Sequence, residues 1–192
     1  MSEKGIIFCT ELIPKILDGT KTVTRRCHKK LMYQPGDVLY LRECHAVCNR
    51  LTPYVIDYEG IKYRADGLLM HQSADELFPW EGGPPDWVST WKSARFMPKW
   101  AARPNRFEVF SARMEPLWGI NNDDAIREGF QGVPCFHMAM DVMGCTDCLN
   151  TGWIEPPLAD FIQIWDRLNG KRPGWAWDDN PTIARYEFKE IT

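Results

Sequence analysis

Apolar residues recur along the chain in short runs broken by turn residues, a pattern of many brief strands with few helices. Residues 5–9, GIIFC, form an apolar run of buried-strand length. Residues 11–17 suit a short helix, with Thr10 as N-cap and Pro14 in the first turn. The Gln34-Pro35-Gly36-Asp37 stretch is a turn, and 38–43, VLYLRE, is a strand that Ala46-Val47 is expected to extend. Residues 54–58 and 61–64 predict a hairpin around Glu59-Gly60. Residues 66–100 hold few regular signals and are expected to be a long loop rich in Pro, Gly and Trp. Alternation returns in 106–112, RFEVFSA, a strand. Asn122 opens a helix with Asp123 and Asp124 in its first turn and Gly129 as its stop. A second helix runs from Pro156 or Pro157 through Leu158, Phe161, Ile162, Trp165 and Leu168, apolar at helical spacing, to Asn169-Gly170. Residues 184–191 form the last strand. Dominant strands, short helices and hairpin spacing predict an α+β fold, a small mixed β-barrel with helices at its openings.

Within this pattern residues 16–30, ILDGTKTVTRRCHKK, stand out. Asp18-Gly19 closes a helix, because glycine accepts the left-handed conformation that follows a helical C-terminus. Thr22, Val23 and Thr24 are β-branched and favour extended chain. In a strand, alternate residues share a face, so Lys21, Val23 and Arg25 point one way and Thr22, Thr24 and Arg26 the other. A turn at Gly19 or Thr20 would still bring Lys21 and Thr24 to one pocket. The cluster of Lys21, Arg25, Arg26, Lys29 and Lys30 is either a solvated basic loop or an anion and nucleic-acid site. Arg42 and Glu43, which close the VLYLRE strand, form an ion pair or line a pocket, where an arginine fork suits a phosphate.

Composition adds bounds. The 192 residues suit one domain, 44% hydrophobic residues support a real core, and the net charge is −3. Nucleic-acid binding therefore has to rest on a local patch. Nine Trp and nine Phe are expected mostly in packing, with some free to stack on bases. No apolar run reaches membrane-spanning length, and the N-terminus has no secretory pattern, so a cytoplasmic protein is expected. Seven cysteines in a reducing compartment are thiols or metal ligands.

The order of residues carries more than their types. Gly19, Lys21, Thr24 and Arg26 spell G-x-K-x-x-T-x-R. This resembles the signature of the ASCH family of PUA-like barrels, usually written with Glu where Thr24 stands. Thr at that place is similar to the bacterial ASCH amidohydrolases that remove the acetyl group from acetylcytidine. PGDVLYLRE, WKSARFMPKWAARPNRFEV and DDAIREG resemble phage-encoded ASCH proteins. The resemblance covers most of the chain as a single domain, with inserts at about 65–95 and 130–155 as the departures. It implies a PUA-like β-barrel that binds RNA or a modified nucleoside or nucleotide, in a phage-infected bacterial cell. It also implies Lys21, Thr24 and Glu128 as an amidohydrolase constellation, with no organic cofactor. A desolvated lysine serves as base, the threonine hydroxyl attacks or holds water, and the glutamate moves the proton. A non-catalytic RNA-binding module and a ribonuclease are the alternatives.

Cys145 and Cys148 have zinc-knuckle spacing, and Cys135 and His137 are the nearest further donors. Four such ligands predict a structural Zn²⁺ that staples the second insert; a pair of free thiols is the other reading. Cys44 and Cys48 are expected in the core.

Overall fold

The computed structural model describes residues 3–51, 56–72, 77–79, 87–135 and 152–191. They fall into two compact units, residues 1–18, 36–108 and 190–192 in one, and 19–35 and 109–189 in the other. The fold is mixed α+β, mostly strands with few and short helices.

In the first unit, β1 (Glu3–Ile7) runs parallel to β3 (Val38–Arg42), and β3 is antiparallel to the start of β9 (Arg106–Pro116). The turn before β3 is as expected, with Gly36 at φ +88° following Pro35. Between β1 and β3 in sequence lies α1 (Ile13–Leu17), preceded by a single 3-10 turn; Ile13 and Ile16 are its buried positions. A second ladder takes up the loop-like middle of the chain. β4 (His45–Leu51) pairs with β5 (Ile56–Tyr63), β5 with β6 (Leu69–Gln72), and β6 with β7 (Leu77–Pro79); β8 (Trp87–Val88) pairs with the other edge of β4. Ile61, Tyr63, Met70, Met97, Ala101 and Ala102 form the core here.

Several expectations change. Residues 66–100, expected as a long loop, hold β6, β7 and β8, because strands this short carry little pattern of their own. His45–Leu51 is a strand of its own, in a different ladder from β3, so Ala46-Val47 does not extend VLYLRE. Glu59-Gly60 is not a turn: it lies inside β5, opposite Asn49 and Cys48. Gly60 is buried there, and a glycine inside a strand is found where side-chain packing gives way to close backbone approach, so its composition alone does not mark a turn.

In the second unit, the remainder of β9 lies beside β12 (Thr182–Ile191), which is antiparallel to β2 (Val23–Arg26). α2 (Asn122–Arg127) is capped by the Asn121 side chain, which accepts from the Asp124 amide. α3 (Pro157–Asn169) buries Phe161 and Trp165 of the stripe its spacing predicts, together with Pro157; Leu158 and Ile162 are half-buried, and Leu168 is exposed where the helix end leaves the core. Leu117, Ile120, Ala125 and Ile183 complete that core with Phe161 and Trp165. The strands β10 (Val133–Pro134) and β11 (Trp153–Glu155) pair antiparallel.

No closed barrel forms among the described residues: β1 pairs with β3 alone and β2 with β12 alone, so each ladder keeps an open edge. The period-two patterns that identify strands do not state which edges meet.

Candidate functional site

The basic motif is positioned by two backbone decisions. Gly19, at φ +78°, ends α1 and turns the chain, and Thr22 then donates its amide to the Arg127 carbonyl at 2.9 Å. That contact lays the entrance of β2 against the C-terminal end of α2. The helix stops where the sequence said it should: Glu128 is the C-cap and Gly129 takes φ +95°.

Lys21 and Glu128 meet there. The Lys21 Nζ donates to the Glu128 carboxylate at 2.5 Å, to the Glu128 carbonyl at 2.9 Å and to the Val23 carbonyl at 2.7 Å. Three N–H groups find three acceptors, the full donor count of an ammonium. Both side chains are buried, at 1% and 5% exposure. Burial pulls the Lys21 pKa below the usual lysine range; the neighbouring Glu128 charge opposes this, and Arg26 and Arg25 reinforce it.

The pair belongs to a larger network. Arg25, fully buried, reaches Glu128 at 3.4 Å, Asp124 at 2.8 Å and Glu115 at 2.9 Å. Arg185, its cross-strand partner in the β2–β12 register, meets Asp124 at 2.9 Å and Glu187 at 2.6 Å. Arg113 reaches Glu115 and Glu187, and Arg127 also pairs with Glu187. Five cations, Lys21, Arg25, Arg113, Arg127 and Arg185, therefore face four carboxylates, Glu115, Asp124, Glu128 and Glu187. Arginine does not give up its proton in proteins. Lys21 is the one cation of the set that can become neutral.

The other motif residues spread out. Thr24 is buried opposite Tyr186 in the β2–β12 register, and strand alternation sets both on the face away from Arg25 and Arg185. On that face the Tyr186 hydroxyl accepts from the Met32 amide at 2.9 Å, shares a hydrogen bond with the His28 Nδ1 at 3.1 Å, and its ring meets Tyr33 edge-on. Arg26 is half-buried beside Ala184 in register. Lys29 and Lys30 are exposed. Arg25 is held inside the carboxylate network, not at a solvent-facing rim.

Arg42 and Glu43 belong to the first unit. Arg42 donates to the Arg95 carbonyl, while Glu43 is gripped by Arg103 at 2.6 and 3.2 Å, so the two are not paired with each other. Arg103 also forks onto Asp66 at 2.9 Å and lies over the Tyr63 ring at 4.2 Å. Burial pushes the Glu43 carboxyl up; Arg103 draws it back.

Of the zinc candidates, Cys135 is a buried thiol whose amide donates to the Gly152 carbonyl at 2.9 Å. His137, Cys145 and Cys148 lie outside the described residues. No cluster of three or more potential metal ligands is found among the described residues. Cys48 is buried, as expected, and Cys44 half-buried.

Glu128 is the partner expected for Lys21; Glu115, Asp124, Arg185 and Glu187, which extend the network around Arg25, are not among the expected site residues. Their signal is nonetheless in the sequence: Arg113 and Glu115, like Arg185 and Glu187, stand two apart in strands and so share a face. The chain matches no family model, no curated protein and no solved structure. No described helix is long and apolar enough to cross a membrane.

Proposed function

We propose that the chain is an ASCH-type protein that binds a modified ribonucleoside and hydrolyses the acyl amide of an acylated cytidine. The observation that carries this reading is the buried Lys21–Glu128 pair at 2.5 Å, with Arg25 reaching the same carboxylate at 3.4 Å. Lys21 rests as a satisfied ammonium, and its proton is the labile one because its other neighbours are arginines. Glu128 is placed to take that proton and deliver it.

In the proposed reaction, neutral Lys21 takes a proton from water as its oxygen bonds to the acyl carbon. The bond from that carbon to the exocyclic cytosine nitrogen then breaks, and Glu128 returns the proton to the leaving nitrogen. The products are the free cytidine amine and a carboxylic acid. We assign the attack to water because β2 alternation sets Thr24 on the face away from Arg25. Thr24, on that opposite face, is given no part in the step; Lys29 and Lys30, exposed, are assigned to phosphate when the nucleoside is part of RNA. We also propose that Cys135, His137, Cys145 and Cys148 hold a structural Zn²⁺, a donor set suited to a tetrahedral site.

The test is conversion of acetylcytidine to cytidine by the purified chain, followed chromatographically. Lys21→Met is expected to lower kcat by about 100-fold or more, the usual scale for a lost general base. Thr24→Val is expected to leave kcat within a few-fold of wild type, since the hydroxyl lies on the opposite face of β2. No turnover by a folded wild-type chain, with short RNA still bound, replaces this reading with a binding module.

A further inference from the structure

One stretch of the first unit takes no part in the proposed site. In residues 91–100, WKSARFMPKW, three large aromatics face solvent: Trp91 at 45%, Phe96 at 70% and Trp100 at 48% exposure. Single exposed aromatics are ordinary, but three in ten residues, interleaved with cations, are not. Lys92, Arg95 and Lys99 are exposed between them. From Val88 to Phe107 the sequence has no Asp or Glu, although the whole chain carries −3. Among the described residues no carboxylate pairs with Lys92 or Arg95; Lys99 meets Glu3 in an exposed pair, a kind that is weak and easily exchanged.

The stretch is also fixed. Ala94 and Met97 are buried, and the Glu43 amide donates to the Met97 sulfur. Lys92 exchanges two backbone hydrogen bonds with His45, at 2.7 and 3.2 Å. The Arg95 carbonyl accepts from Arg42, the Ala101 carbonyl accepts from Tyr63, and Arg64 lies 5.8 Å from the Trp91 ring. An anchored backbone leaves little main-chain ordering to be done at the moment of binding.

We propose that the exposed face of residues 91–100 is a binding track for single-stranded RNA, with Trp91, Phe96 and Trp100 stacking on bases and Lys92, Arg95 and Lys99 meeting phosphates. Alternating aromatic and basic residues are the composition that single strands require, because every base has a face to stack and every link a charge. Lysine between the rings disfavours a protein partner, whose interface cores are depleted in it. A duplex hides the base faces. The choice of RNA over DNA rests on the ribonucleoside reading above; the choice of a single strand does not.

The experiment is fluorescence anisotropy of a short labelled oligouridylate against the full chain, at several salt concentrations. Phe96→Ala is expected to weaken binding about 5- to 100-fold, the scale of one lost stacking partner. Its unfolding midpoint should not move, since the ring packs on little. Lys92→Glu with Arg95→Glu should flatten the slope of log affinity against log salt by about 1.4, the share of two single-strand phosphates. The deoxy counterpart should bind more weakly. Wild-type affinity in both variants, no binding by the wild type, or equal or tighter binding of single-stranded DNA or of duplex overturns the proposal. The readout is binding, so a chain that leaves acetylcytidine intact still tests the track.

Discussion

Removing the Glu128 carboxylate should expose how much the Lys21 charge depends on it. In Glu128→Ala the Lys21 amine keeps the carbonyls of Val23 and of residue 128 but loses the anion at 2.5 Å. Arg25 keeps Asp124 and Glu115. Breaking one side of a buried ion pair costs about 3–5 kcal/mol. A second route gives the same scale. The stranded lysine escapes its cost by losing its proton, and forcing a lysine of ordinary pKa neutral at pH 7 takes about 4.6 kcal/mol. The two routes differ in pH dependence. Lys21 already has a folded pKa below its unfolded value, so its contribution is full above the unfolded pKa and declines as pH falls to the folded one. The variant lacks the charge that pushes this pKa up, so its decline continues to lower pH. The variant should therefore regain stability relative to wild type as pH rises, by at most about 1.36 kcal/mol per unit. Urea titrations from pH 6 to 9 read this directly, with an unchanged slope confirming comparable unfolding. Lys21→Met combined with Glu128→Ala should remove the pH dependence. A loss below about 1 kcal/mol at pH 7, or a loss that does not change with pH, would refute the reasoning.

Two further outcomes follow from other sites. Arg103→Lys keeps a cation but loses the double fork onto Glu43 and Asp66; urea denaturation should show a loss of about 2–4 kcal/mol, and a variant within about 0.5 kcal/mol of wild type would remove this fork from the account of the first unit. Protein purified without added metal should carry about one zinc per chain, and a chelator should make the thiols of Cys135, Cys145 and Cys148 reactive; metal-free protein in which those thiols react at once speaks against the zinc proposal.

Elements whose signals are local were legible in the sequence. α3 announced itself by apolar spacing between a proline and a glycine, and Gly19 and Gly129 stop their helices in the left-handed conformation. β3 and β9 followed from alternation, although β9 runs on to Pro116. Pairing was not legible, because it depends on partners far away in sequence. Glu59-Gly60 has the composition of a turn, yet the register with Asn49 and Cys48 holds it straight. The same limit applies to the site. Lys21 and Glu128 were named together, and the structure sets them in contact. The carboxylates that hold Arg25 come from β9 and α2, ninety or more residues further on. Charge types are visible in a sequence; which of them neutralise one another is not.

The narrow stem made by β10 and β11 bears on how this chain can vary. Val133 faces Glu155, Pro134 faces Trp153, and the Cys135 amide closes on Gly152, so positions 135 and 152 stay adjacent whatever length of chain joins them. Gly132 fixes the base of the stem: at φ +62°, an added Cβ would sit 2.5 Å from the Glu155 carbonyl oxygen. Closing a loop on such a stem depends only logarithmically on its length, and doubling it costs about 0.6 kcal/mol. Changes of length between positions 135 and 152 should therefore cost this stem little, provided the proposed metal donors are kept. Substitution of Gly132 should be tolerated far less.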